Sequence, residues 1–410
     1  MRAEIIAIGD ELTSGRILNT TSNYAAHRLF QAGHEIHAMH TIGDTPELIG
    51  EILVRAIGRV DLILVTGGLG ATDDDLTNEA VSQALNRPAS LYPTILSQIR
   101  EHSEHDTCES LEKLAWLPRG AELLSHDSRM AGHLLIHDQV PIFFLPGVPS
   151  QMHYMMDKHV LPWLAAHSPG LHSFQCLYKF FKASEIAINE DILKMQLDPE
   201  VEIGYYPVNN DIHLSLTVRD HDHQHSKKLF DHSCARIKRH FGQKIYGQDQ
   251  DTLASVVGQL LAQNNLTLAL AESCTGGLIS SKITAVPGSS DYFLGGVTSY
   301  ADSMKLGCLG VDNELLSKYG AVSSQIAGAM AENIKQMSGA GLTLSVTGIA
   351  GPGGGSAEKP VGTVHMGMSG PAGLSLHHFL FSGDRQNIQA ITSQTALDLL
   401  RCHLLELMAE

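Results

Sequence analysis

Ser273 lies in the heptapeptide Ala271-Glu272-Ser273-Cys274-Thr275-Gly276-Gly277, between an apolar run and a helical pattern. A hydroxyl on such a turn can attack a carbonyl while neighbouring backbone N–H groups hold the oxyanion. The glycines let the backbone approach a ligand closely, and a helix N-terminus favours negative charge. The same residues have a plainer use, since Ser273 and Thr275 can simply cap the helix. A serine nucleophile needs a base, and no histidine accompanies this motif at a useful spacing. Thr298-Ser299-Tyr300 followed by Lys305 supplies another candidate. A partly buried lysine of depressed pKa can take the proton, whereas Lys305 on a surface helix would be inert. Cys274 is a rival nucleophile, because thiolates attack carbonyls well.

Other segments offer sites for phosphate. Thr347-Gly348-Ile349-Ala350-Gly351-Pro352-Gly353-Gly354-Gly355 leaves an apolar run and cannot be helical. Such a loop presents amides to a phosphate or oxyanion, or is only a turn. It is no Walker loop, because no GK[ST] follows. Arg385, after Gly383 and Asp384, either clamps a phosphate or forms a salt bridge at a helix start. Near the N-terminus, Gly9-Asp10-Glu11-Leu12, Thr66-Gly67-Gly68-Leu69-Gly70 and Leu145-Pro146-Gly147-Val148-Pro149 each follow an apolar run. Gly9, Gly67, Gly68 and Gly70 can cradle a diphosphate. Asp10, Asp74 and Asp75 can hold a hard divalent ion such as Mg2+, or merely complement a helix dipole.

The elements that must position these groups are legible in the apolar periodicity. EIIAIG, HEIHAMHTIG and DLILVTGG read as strands, with NTTSNYAAHRLFQAG and PELIGEILVRAIGR as helices between them. This order implies a parallel sheet with helices on both faces over residues 1–168, with ligands beyond the carboxyl ends of its strands. Residues 171–248 read as a small α+β module, with a hairpin turning at Asn209-Asn210-Asp211. From residue 251 to 410 the α/β alternation resumes: LTLALAES, GLTLSVTG, VGTVHMGM and LSLHHFLF as strands, with a long amphipathic helix at the end. The fold class is therefore α/β throughout its two larger domains.

Composition narrows the function classes. The 410 residues carry a formal net charge of −16, against broad binding to nucleic acid or an anionic membrane. No apolar run reaches the ~20 residues of a membrane helix, and the N-terminus lacks a signal peptide, so a cytoplasmic location is expected. The six cysteines form no CxxC pair, which fits reduced thiols. The histidines at His221, His223 and His225 are expected in a solvated polar loop.

AESCTGG, TSY-x4-K, VTGIAGPGGG and GDR stand in one order, and with them residues 251–410 closely resemble the C-terminal domain of the CinA family, the nicotinamide-nucleotide amidases. The resemblance implies hydrolysis of nicotinamide mononucleotide to nicotinate mononucleotide and ammonia, with no cofactor, in pyridine nucleotide salvage. It makes Ser273 the nucleophile, Lys305 its general base and Tyr300 an orienting or relaying group. Thr275, Gly276, Gly277, Thr347, Gly348, Gly351 and Gly353 would line the substrate site, and Arg385 would complete its polar network or meet the phosphate. Residues 1–168 resemble the molybdopterin-binding fold in the version fused to this family. That version implies binding of ADP-ribose with a divalent cation, and some relatives hydrolyse it. Ala71 stands where the family usually has proline, Gln151 where it has glutamate, and DSRMAGHLLIHDQ departs from its usual segment. Here the fold is expected to survive and the pyrophosphatase activity to be slow or absent. A homodimer is the expected assembly.

Overall fold

A computed structural model describes residues 1–102, 109–125, 132–168 and 171–409. The chain divides into two compact units. The first comprises residues 1–175, 198–202 and 216–233, and the second 176–197, 203–215 and 234–410. The division runs through the connecting module and not at its ends, so that module is shared between the units.

In the first unit, β1 (Arg2–Ile8), β2 (Glu35–Ile42), β3 (Leu62–Thr66), β4 (Glu122–Leu123), β5 (His133–His137) and β6 (Val140–Leu145) form one sheet, ordered β2-β1-β3-β6-β5-β4. The pairs β1–β2, β1–β3 and β3–β6 are parallel, as the sequence implies, while β4–β5 and β5–β6 are antiparallel. The short Asp138-Gln139 turn makes the last pair a hairpin, which needs no crossover helix. Alternate residues of β1 face opposite sides. Ile6 and Ile8 pack with helices α2 (Pro46–Ile57) and α3 (Thr77–Ala84) through Ile49, Leu53, Ala80 and Val81. Ala3 and Ile5 pack with α1 (Thr20–Gln31) and α4 (Pro149–Met155) through Ala25, Leu29, Met152 and Met155. Each large aliphatic side chain buried this way contributes about 1.5–3 kcal/mol. Burial on both faces explains why strands such as β3 are continuously apolar.

The connecting module contains β7 (His172–Phe181), α5 (Glu185–Met195), β8 (Val201–Val208), β9 (Asp211–Asp220), α6 (His223–Phe241) and β10 (Ile245–Gln248), with strand order β8-β9-β7-β10. The hairpin turn falls at Asn209-Asn210, where Asn209 adopts φ 54°, and Asp211 already belongs to the strand. The histidine cluster is not wholly in a loop. His223 and His225 lie in the first turn of α6, because Asp222 accepts the backbone N–H groups of Gln224 and His225 and so starts the helix there.

In the second unit a five-stranded sheet has the order β12-β11-β13-β14-β15. Its strands are β11 (Leu268–Glu272), β12 (Phe293–Thr298), β13 (Leu342–Gly348), β14 (Thr363–Gly370) and β15 (Gly373–Leu380). The first three are parallel and the last two join antiparallel. Leu268 and Leu270 pack on helices α7 (Leu253–Gln263) and α11 (Arg385–Ala409). Ala269 and Ala271 pack against Ile326, Met330 and Ile334 of α10 (Ser324–Ser338). β11 is thus covered on both faces, and its carboxyl end delivers Ser273. The short helices α8 (Leu278–Thr284) and α9 (Asp302–Gly307) follow β11 and β12.

Candidate active site

Glu272 ends β11 and is 1% exposed. Its carboxylate accepts the backbone N–H groups of Gly277 (3.1 Å), Ile279 (3.1 Å) and Ser280 (2.8 Å) and the Ser280 hydroxyl (2.6 Å). The N-terminus of α8 is therefore neutralised by the chain's own carboxylate and is not the anion seat that the glycines imply. The turn between them runs through Gly276 (φ 65°) and Gly277 (φ 96°), a left-handed path that a side chain would strain. Ser273 stands at its start, 7% exposed.

Lys305 comes to Ser273 from α9. The backbone of β12 is tied beside β11, and Ser299 N donates to the Glu272 carbonyl at 2.8 Å. The side chain of Lys305 then folds inward and is 1% exposed. Its Nζ lies 3.2 Å from Ser273 Oγ, 2.9 Å from the Ser299 carbonyl and 3.2 Å from the Tyr300 carbonyl. Burial pushes its pKa below the usual lysine value, opposed by Asp302 and Cys274. The nearest carboxylate, Asp302, is 3.9 Å away on an exposed side chain. A neutral amine has two N–H groups and one lone pair. The two carbonyls take the N–H groups, which leaves the lone pair for the Ser273 hydroxyl proton.

The other residues singled out from the sequence divide into those near this pair and those used elsewhere. Tyr300 contributes its carbonyl to Lys305, but the residue is 56% exposed and its hydroxyl accepts from Arg385 Nη2. Arg385 also donates to the Gly351 carbonyl at 2.7 Å, so Tyr300, Gly351 and Arg385 form one polar rim. Thr347 is 1% exposed and its hydroxyl donates to the Ala321 carbonyl at 2.8 Å, a packing role. Gly348 closes β13, and Gly353 belongs to the loop after it. Cys274 is turned into the apolar core beside Val346, Ala350 and Val364. Burial pushes its thiol up to about 12, which removes it as a thiolate nucleophile near neutral pH. Thr275 is 4% exposed, and its hydroxyl has no hydrogen-bond partner among the described residues. Two residues were missed in the sequence: Glu272, the only acid in the heptapeptide, and Gln389, whose Nε2 donates to the Cys274 carbonyl at 2.8 Å. The first had a signal, an acid just before a helix start. The second, inside a long helical pattern, had none.

The first unit has a cavity of about 450 Å3 at the carboxyl ends of its parallel strands. Gly9, Gly67, Gly68 and Gly70 line it, with Pro146 and Gly147 of the later turn, Ala71 and Gln151. A Cβ on Gly67 would stand 2.2 Å from the Ile8 carbonyl oxygen, so this turn closes on β1 only with glycine. The carboxylates differ from expectation. Asp74 and Asp75 line the cavity together with Glu11 and Asp44, whereas Asp10 does not. Asp10 Oδ1 instead accepts from Asp44 N at 3.2 Å, and Asp75 accepts from Thr72 N at 2.9 Å. Asp10, Asp74 and Asp75 thus do not converge as one ligand set: among the described residues, the only three-ligand cluster within 4.8 Å is the Glu200, Asp220 and His225 group. Burial pushes the Asp44 carboxyl above its ordinary range, with Asp10, Glu11 and Asp74 adding repulsion. A cation would relieve that crowding. Of the departing segment, residues 127–131 lie outside the described residues.

Comparison with known proteins gives three matches along the chain. Residues 4–166 match the probable molybdopterin binding domain, 176–247 the damage-inducible protein CinA KH domain, and 250–404 the CinA C-terminal domain. A CinA-like protein of Desulfotalea psychrophila is 55% identical, covering 99% of this chain and 100% of that one. A putative competence-damage inducible protein of Symbiobacterium thermophilum is 38% identical, covering 99% of each. The crystal structure of the competence/damage inducible protein CihA from Agrobacterium tumefaciens is 41% identical, covering 37% of this chain and 93% of that one, with a TM-score of 0.36.

Proposed function

The chain belongs to the CinA family, and from that premise we propose that its second unit hydrolyses nicotinamide mononucleotide to nicotinate mononucleotide and ammonia. The observation that carries this reading is the buried Lys305 amine, 3.2 Å from Ser273 Oγ with two backbone carbonyls beside it. Ser273 Oγ attacks the carboxamide carbon as its proton passes to Lys305 Nζ. The tetrahedral oxyanion is met by backbone N–H groups at the start of the turn after Ser273, since those of Gly276 and Gly277 are taken by the Ser273 carbonyl and the Glu272 carboxylate. Lys305 returns the proton to the departing nitrogen, ammonia leaves and an acyl ester remains on Ser273. Water, deprotonated by Lys305, opens the ester and frees nicotinate mononucleotide. Arg385 has N–H groups beyond those given to Tyr300 and Gly351, and these receive the substrate phosphate. The test is ammonia release from nicotinamide mononucleotide by the purified chain, with nicotinate mononucleotide identified as co-product. A chain that is folded but releases none overturns the reading.

A second activity site is favoured by the cavity of the first unit, which joins a glycine turn to crowded carboxylates. We infer that it binds a diphosphate nucleotide such as ADP-ribose with Mg2+. Glu11, Asp44 and Asp74 give the lining its negative charge and would draw the ion in, although they are not gathered as one ligand set within 4.8 Å, and the ion would offset the charge of the diphosphate. Cleavage is expected to be slow, because Gln151 places an uncharged amide in the lining. Titration of ADP-ribose with and without Mg2+, with product analysis, tests both parts. Brisk cleavage would refute the second part, and no binding the first.

A further inference from the structure

Gln389 lies on α11 one turn after Arg385, so the two side chains share a face of the helix. Arg385 reaches the polar rim of Tyr300 and Gly351, while Gln389 reaches the turn that carries Ser273. Its Nε2 donates to the Cys274 carbonyl at 2.8 Å, a contact across 115 positions of the chain.

This contact fixes a peptide plane. Gly276 N donates to the Ser273 carbonyl at 3.0 Å, so residues 273–276 form a β-turn whose central peptide joins Cys274 to Thr275. That peptide is trans, and its carbonyl and N–H therefore point to opposite sides. By holding the carbonyl, Gln389 sets the direction of the Thr275 N–H. The central peptide is also the one that turns over between the two common β-turn forms, and turning over would reverse this N–H.

The N–H groups of Gly276 and Gly277 are taken by the Ser273 carbonyl and the Glu272 carboxylate. Those of Cys274 and Thr275 meet no oxygen or nitrogen acceptor among the described residues, and the Cys274 thiol beside them is a weak acceptor. Relative to this turn Ser273 stands where a helix N-cap stands, and the N–H two residues on faces the side chain of an N-cap residue. The Thr275 N–H is thus on the side of Ser273 Oγ, where the oxygen of an attacked carboxamide gains its charge.

We propose that Gln389 is a positioning residue for the oxyanion: by gripping the Cys274 carbonyl it aims the Thr275 N–H at the carboxamide oxygen as Ser273 attacks. The proposal rests on the deamidase reading of Ser273 and Lys305. It gives part of that chemistry to a residue that touches neither the substrate nor the reacting atoms.

The test measures kcat and KM of the full chain and of its Gln389→Glu and Gln389→Leu variants. The substrates are nicotinamide mononucleotide and its thioamide analogue, in which sulfur replaces the carboxamide oxygen. Glutamate keeps the shape of glutamine, but its carboxylate cannot donate. Each variant should lower kcat for the amide by about tenfold or more and keep KM within about twofold, because the N–H acts on the transition state and not on bound substrate. Sulfur is a weak acceptor, so the thioamide loses less, and the ratio of amide to thioamide kcat should shrink by about threefold or more. If Gln389→Leu fails to fold, Gln389→Glu carries the same comparison. A turn that had merely loosened would move Ser273 away from Lys305 and slow both substrates alike; an unchanged ratio would therefore overturn the proposal. Wild-type kcat in Gln389→Glu would overturn it while the deamidase reading stands. A folded wild-type chain that releases no ammonia from the amide would remove that reading and the proposal with it.

Discussion

Replacing Glu272 by glutamine should unfasten the turn that carries Ser273. The carboxylate is buried and takes four hydrogen bonds, two on each oxygen. An amide can keep only one oxygen. If its NH2 faced Gly277 and Ile279, two backbone donors would be orphaned. It will therefore keep the oxygen there and turn its NH2 toward Ser280, whose hydroxyl can rotate to accept while its N–H cannot. One charge-assisted bond is lost, at about 1.5–3 kcal/mol, and the two others fall from charged to neutral strength. The sum is about 3 kcal/mol, which corresponds to roughly 100-fold in a local opening equilibrium. Hydrogen exchange followed by mass spectrometry on a peptide spanning residues 273–284 should show the Glu272→Gln backbone exchanging about 100-fold faster. Regions of the first unit should keep their protection. Deamidation should fall with it, because Ser273 no longer rests at a fixed distance from Lys305. Unchanged protection in that peptide would refute the assignment of Glu272 as the anchor of the turn.

Other substitutions separate the remaining roles. Ser273→Ala should lose deamidation by several orders of magnitude while Cys274→Ala keeps most of it; the reverse result would make the buried thiol the nucleophile. Burial lowers the Lys305 pKa, and only the neutral amine accepts a proton, so kcat should fall as pH drops through that pKa and level off above it. Lys305→Met should be inactive and melt at a lower temperature than wild type, since it removes the base and leaves the Ser299 and Tyr300 carbonyls without their N–H donor; a higher melting temperature would contradict this. Arg385→Ala should raise KM for nicotinamide mononucleotide about tenfold or more with a smaller change in kcat, and an unchanged KM would place the phosphate elsewhere.

What the sequence determined by itself is local. Short continuous apolar runs closed by turn residues announce β1, β3 and β11, which are covered on both faces, and apolar residues at helical spacing announce α2. The same logic puts Ser273 and Gly67 at strand ends, where an α/β sheet gathers ligands. Tertiary structure alone decided which side chains meet. Lys305 is 32 residues from Ser273, and Arg385 is 85 from Tyr300, separations over which periodicity carries no information. Two strands of the first sheet and two of the second run antiparallel to their neighbours, which alternation by itself does not reveal. Asp10 looks like a ligand by its place in the chain, but Asp44 N captures its carboxylate and Glu11 takes its place in the lining. Glu272 looks like a site acid and serves as a cap. The type of a residue fixes what it can donate or accept. Whether that capacity is spent inside the protein or kept for a ligand depends on which distant segments pack around it.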